Sequence, residues 1–254
     1  MDGETAASLY LSVAMVADDC ATSGHTSLRA DLVRVAPELI VRAIALQEGM
    51  VGDSAKQKRC VVSLIGALLG CKSLTEADYE RLITRTTQCA ARVHEKSDQC
   101  GLVALCSHLF FPTTVVSGGV VLTGFGTSCA SQPTCQQESH SYKNPQRTLE
   151  CLQRCLKLAD GSVVDTGVSL GLFVDILEHY VHFFEKENPT VTHAYIGGLV
   201  SLIREQFACL PAHKQSSNTV VQAKAHFVEV VGFIQHKQQA PDMQKRFSEI
   251  SLYS

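Results

Sequence analysis

From residue 4 to residue 238 one pattern recurs, a stretch of roughly four to six helical turns with apolar residues on one face, then a short break. Apolar side chains returning at i, i+3, i+4 and i+7 line one face of an α-helix, and a chain built only of such stretches must bury each stripe against another helix. The spacing predicts helices over 4–19, 27–49, 54–71, 75–94, 97–111, 145–160, 166–187, 190–209 and 217–238. Pro37 falls inside the second, where it either kinks a long helix or opens a new one. Thr75 and Asp78 form a capping box with Asp in place of Glu. Asn144-Pro145 opens a helix that Gly161 closes.

The stretch FVDILEHYVHFFEKENPTVTHAYIGGLVSLIREQF, Phe173 to Phe207, shows how the pieces join. Phe173, Ile176, Leu177, Tyr180 and Phe184 share one helical face. Val191, Tyr195, Leu199, Leu202, Ile203 and Phe207 share the face of the next. Pro189 stops the first helix and suits the first turn of the second. The result is an antiparallel hairpin, and burial of each large side chain contributes roughly 1.5–3 kcal/mol without any ligand. Pairs of this kind recurring at roughly forty residues read as an all-α, HEAT-like α-solenoid of about ten helices in antiparallel pairs. Residues 1–238 are expected to form one solenoid domain, and 239–254 a C-terminal tail. The exception to the short breaks is 112–144, rich in Gly, Ser, Thr, Pro and Gln. It is expected to be a long mobile loop, with a hairpin around Gly118-Gly119.

Charge and composition exclude several functions. The net charge of -3 gives no basic face for nucleic acid. No run approaches roughly 18 consecutive apolar residues, so no membrane span is expected. The first residues, MDGETAASLY, lack a basic region followed by an apolar run, so no secretory signal is expected. The eleven cysteines are an odd count in a long chain, and most lie inside helical patterns. Cys60, Cys89, Cys106, Cys151, Cys155 and Cys209 are expected to be reduced core residues.

Candidate chemistry is sparse. His179 and His182 are three apart on one helix, which brings their rings close. HYVH lacks the HExxH frame and a third ligand, so the pair is expected on the rim of a helix pair and not on zinc. Cys129, Cys135 and His140 could serve a thiol or metal hydrolase, but the spacing is too wide for a metal knuckle. In GVVLTGFGTS, Gly126 stands where a phosphate loop needs lysine. Lys56-Gln57-Lys58-Arg59 is a solvated helix start. No catalytic residue, cofactor or metal is therefore expected.

Three segments carry a resemblance: KSDQCGLVALCSHLFF (Lys96–Phe111), RTLECLQRCLKLAD (Arg147–Asp160) and LFVDILEHYVHFFEKENPTVT (Leu172–Thr192), followed by LVSLIREQF. In order and spacing over roughly 75–209 they resemble the C-terminal part of the large scaffold subunit of retromer, the vacuolar-protein-sorting subunit numbered thirty-five. Gly101-Leu102 replaces the family's usual Arg-Ala, Phe111 replaces its Trp, and the 112–144 loop is longer. The resemblance implies a right-handed solenoid that is a non-enzymatic scaffold. Its concave face would grip the retromer subunit with a metallophosphoesterase fold, in the sorting of endosomal cargo and in retrograde transport. It implies a cytoplasmic protein, peripheral on endosomal membranes through its complex. The PRLYL-like motif that binds the arrestin-fold subunit is absent here, so this chain is not expected to bind that subunit. Phe110, Phe111, His182, Phe183, Glu187 and Asn188 exceed the needs of one core face and are the partner-surface candidates. The alternative is another helical-repeat adaptor of vesicle coats.

Overall fold

Every regular element among the described residues is a helix. The computed structural model describes residues 2–23, 29–50, 52–113, 142–161, 166–240 and 244–252. The helices are α1 (Gly3–Thr22), α2 (Arg29–Glu48), α3 (Ser54–Gly70), α4 (Glu76–Ala90), α5 (Lys96–Phe110), α6 (Pro145–Asp160), α7 (Thr166–Glu185), α8 (His193–Ala208), the single turn α9 (Ala212–Gln215), α10 (Asn218–Gln239) and the single turn α11 (Gln244–Phe247).

The starts follow local chemistry. Asp53 accepts from the Lys56 amide at 3.0 Å at the start of α3, and Asn144 accepts from the Arg147 amide at 3.1 Å ahead of Pro145. Thr75 caps α4 by accepting from the Asp78 amide, and its hydroxyl donates to the Asp78 carboxylate at 2.8 Å. Only the N-cap half of the box expected there is formed: the Asp78 carboxylate is taken by the threonine hydroxyl and not by the Thr75 amide. Pro37 neither opens nor ends a helix: α2 runs through it, and the proline is buried.

Stacking runs in two rows. Helices α1, α3, α5, α7 and α10 pack each on the next, and α2, α4, α6 and α8 lie against α1, α3, α5 and α7 respectively. This is an all-α helical solenoid, in which each hairpin buries its stripe against its neighbours. The main apolar core runs from Ala7 on α1 to Leu252, beside a small separate cluster of Leu170, Leu210, Val220 and Ala223. The described part of the segment set apart as a tail contributes Phe247, Ile250 and Leu252 to that core.

Polar groups tie the rows where helices end. Asp18, buried near the end of α1, accepts from the amides of Lys72 and Ser73 at 2.8 Å each and from the Ser73 hydroxyl at 2.6 Å. The Tyr79 hydroxyl donates to the Leu109 carbonyl in the last turn of α5 at 3.0 Å. The next carbonyl, Phe110, accepts from the Asn144 amide at 2.7 Å, so the chain leaves and re-enters beside itself around 112–144. Residues 114–141, with the expected mobile stretch, its hairpin, Cys129, Cys135, His140 and the glycine-rich GVVLTGFGTS, lie outside the described residues.

The described cysteines are free thiols, and all are buried except the half-exposed Cys20 and the exposed Cys209. Burial pushes the Cys60, Cys89 and Cys151 thiols up to about 11 and Cys71 to about 12. They are packing residues, since a thiol so raised supplies little thiolate. Cys209 departs from the expected pattern because it caps the end of α8 in solvent.

Candidate partner-binding surface

The FFEKEN corner is built by helix-end chemistry. The Asn188 amide donates to the Phe183 carbonyl at 3.0 Å, and the Glu187 amide to the Phe184 carbonyl at 3.2 Å. This paired arrangement is a Schellman motif, which requires a left-handed residue at its hinge. Glu187 supplies it with φ 61, alone among the described non-glycine residues. Its side chain is thereby thrown into solvent. Asn188 turns inward. It is fully buried, and its Oδ1 accepts from the Thr190 amide at 2.9 Å and the Thr190 hydroxyl at 2.8 Å.

The aromatic candidates meet inside the stack. Phe110 and Phe183 are 0% exposed and Phe111 5%. The Arg147 guanidinium lies over Phe110 at 4.6 Å, and the Lys143 ammonium over Phe111 at 5.1 Å. Phe183 stands edge-on to Phe111 at 6.2 Å and lies 4.9 Å from the His108 ring. Of the six candidates, four (Phe110, Phe111, Phe183 and Asn188) are therefore buried in packing. His182 is half-buried and Glu187 exposed.

His179 and His182 do not sit alone on a rim. They converge with His108 of α5: His108 Nε2 is 3.1 Å from His179 Nδ1, and the His108 and His182 rings are 5.0 Å apart. Burial holds His108 well below the usual imidazole range, lowers His179, and brings His182 down to about 4. The three rings are neutral aromatic filling at neutral pH. Among the described residues no group of three or more His, Cys, Asp or Glu has an arrangement that holds a metal.

His226 of α10 behaves oppositely. Its Nδ1 and Nε2 lie 3.3 Å from Asp175 and Glu178 of α7, which push its pKa up to about 10. A histidine raised in the fold binds more protons folded than unfolded between pH about 6.5 and about 10. Its contribution is complete below the lower value and is lost as pH rises towards the upper. The lowered cluster works the other way, removing stability as pH falls below about 6.5, with the His182 share lost towards about 4. Stability is therefore expected to peak near neutral pH. In urea titrations, His226→Gln should flatten the alkaline limb and leave the acid limb unchanged. Equal alkaline slopes in the two proteins would disprove the assignment.

Exposed apolar side chains mark what packing leaves open. On α8, Tyr195 is 39% and Leu202 36% exposed, although the sequence pattern put both on the buried face. Tyr195 leans on the buried Tyr180 at 5.8 Å. Between them Gly198 has open space where a side chain would stand, so Tyr195, Gly198 and Leu202 form one accessible strip. The main helix neighbour of α8 is α7. A furrow between α2 and α4, floored by Val33, Pro37 and Val41, is open to solvent, with Arg34, Arg42 and Arg81 at its edges. Among the described residues no helix is long and apolar enough to cross a membrane.

Comparison with known proteins bears on this arrangement. The profile of the family described as Vacuolar protein sorting-associated protein 35 matches residues 2–206. The Schizosaccharomyces pombe protein of that name is 31% identical over 80% of this chain and 20% of its own length. Vacuolar protein sorting-associated protein 35B of Arabidopsis thaliana is 28% identical over 98% of this chain and 28% of its own. The Dictyostelium discoideum protein is 26% identical over 77% of this chain and 20% of its own. The chain thus spans from 20% to 28% of the length of these relatives.

Proposed function

The chain belongs to the Vacuolar protein sorting-associated protein 35 family, and from that premise we propose that it is a non-catalytic scaffold, the C-terminal part of the retromer large subunit. Its partner is the retromer subunit with a metallophosphoesterase fold, and the complex carries it to endosomal membranes for retrograde sorting of cargo. The observation that carries this is the family match over residues 2–206, which falls on two rows of stacked helices with an open outer surface. A surface of that form suits a protein partner better than a small molecule, which favours an enclosed pocket.

The partner face is the outer strip of α8, Tyr195, Gly198 and Leu202, with Glu187 at the turn that leads into it. Aromatic and aliphatic anchors dominate interfaces of this kind, which bury on the order of 1,600 Å². His182 is the other surface candidate.

Calorimetry against the purified metallophosphoesterase-fold subunit tests the proposal. A one-to-one complex tighter than about 1 μM, or roughly -8 kcal/mol, is expected. Absence of heat at that concentration removes the proposal. Leu202→Asp should weaken the complex at least about tenfold by placing a charge in an apolar contact. Its melting curve should keep a single cooperative transition with only a modest fall, because Leu202 is 36% exposed and partly solvated in the free chain. Undiminished affinity would move the partner face elsewhere.

A further inference from the structure

The last described residues lie across the α7–α8 corner as a strap. Phe247, Ile250 and Leu252 are 0%, 3% and 4% exposed, and Phe247 meets Phe184 edge-on at 5.2 Å. The segment is one helical turn followed by irregular backbone, so it holds its place by contacts outside itself.

Those contacts have the character of peptide recognition. Gln238 Nε2 of α10 donates to the carbonyls of Phe247 and Ile250 at 3.1 Å each. The Arg204 guanidinium of α8 donates to the Leu252 carbonyl. At Gly197 of α8 a Cβ would come within 3.2 Å of the Ser251 carbonyl, so the bare backbone lets the strap lie close. The groove thus reads main-chain carbonyls with fixed side-chain donors and takes three apolar side chains in fixed places. Linear peptides are commonly held by the same division of roles, with main-chain bonds for affinity and pockets for specificity.

The strap fills the groove imperfectly. Its Arg246 lies over the Phe184 ring at 4.6 Å and reaches the Asn188 carbonyl only at 3.5 Å. Arg246 Nε and Asn188 Nδ2 are both buried without a hydrogen-bond partner among the described residues. An unpaired buried polar atom weakens the hold of the group that buries it. A competing segment that offers an oxygen there would bind better.

We propose that the groove formed by α7, α8 and α10 is a docking site for a linear segment of a partner protein with the pattern Phe-x-x-Ile-x-Leu, closed in cis by residues 246–252. The strap itself displays the chemistry the groove accepts. The site uses Gly197 and Arg204, on the side of α8 away from Tyr195 and Leu202, and stands independently of the partner face above.

The test uses the full chain and a labelled peptide of residues 244–252. A tethered segment competes at high effective concentration, so the wild-type groove is nearly closed to the peptide. Phe247→Ala in the chain loosens the strap, and the peptide should then bind at least tenfold more tightly than to wild type. Adding Gln238→Ala or Arg204→Ala to that chain should remove at least tenfold of the gain, and a peptide lacking its phenylalanine should not bind. Equal binding to wild type and variant overturns the proposal. So does dimer formation by strap exchange, which would make a second copy the occupant. Hydrogen exchange on the unmodified chain covers the case in which Phe247→Ala does not fold. The Ile250 amide should exchange at least a hundredfold faster than core amides of α8 such as that of Ile203. Equal rates would mean that the segment leaves only when the whole fold opens, and the site would not exist.

Discussion

Phe183→Ala is expected to destabilise the protein by about 3–5 kcal/mol, among the largest losses of any single side chain here. Phe183 is fully buried where α7 stacks on α5, with its ring against His108, Phe111 and His182. Truncation removes the transfer energy of the ring and leaves a cavity that two long helices cannot easily close. The lost edge-on contacts add to it. In a fold of this length a change of that size lowers the melting temperature by roughly 6–20 °C. Urea titration measures it directly. A loss below about 1 kcal/mol, together with lost partner binding, would place Phe183 on the interaction surface after all.

The second large effect is at Asp18. Its carboxylate receives two amides and a hydroxyl from Lys72 and Ser73, at the point where α3 ends and the chain turns towards α4. Asp18→Ala leaves those donors without their acceptor in a buried place. Hydrogen bonds to a charged group contribute about 1.5–3 kcal/mol each, and stranded donors cost about 1–3 kcal/mol. A loss of about 3–5 kcal/mol is expected, a large part of what usually holds a domain together. Asp18→Asn keeps the shape and one acceptor oxygen, so it should lose roughly half as much. Equal losses for both variants would mean that charge, and not the count of acceptors, holds the turn. No loss for either would show that water replaces the carboxylate.

Much of the fold can be read in the chain. Thr75 and Asn144-Pro145 announce helix starts because capping is a local exchange between a side chain and amides two or three residues on. The stripes announce helices because their period is a property of the backbone. The family segments mark out the α5–α8 region for the same reason, since they are strings of neighbouring residues. Which apolar side chains stay exposed is much less legible. Phe110, Phe111 and Phe183 looked surplus to one core face. α7, however, is covered by α5, α6, α8 and α10, so a helix with apolar residues on several sides is a central one. Tyr195 and Leu202 carried the opposite error. Their spacing is that of a buried stripe, yet α8 has too few neighbours to cover it.

His108 gave no signal of its own, because its partners lie 71 and 74 positions further along the chain. Asp18 was equally silent, as were the hold of Arg204 and Gln238 on the closing strap. The chain by itself determined that helices form, where they begin, and that they must stack, since those outcomes depend on contacts within one or two turns. Only the folded stack decided which apolar faces find a neighbour and which stay in water. That depends on how many helices surround each one, a count fixed by packing across the whole molecule and written in no local stretch.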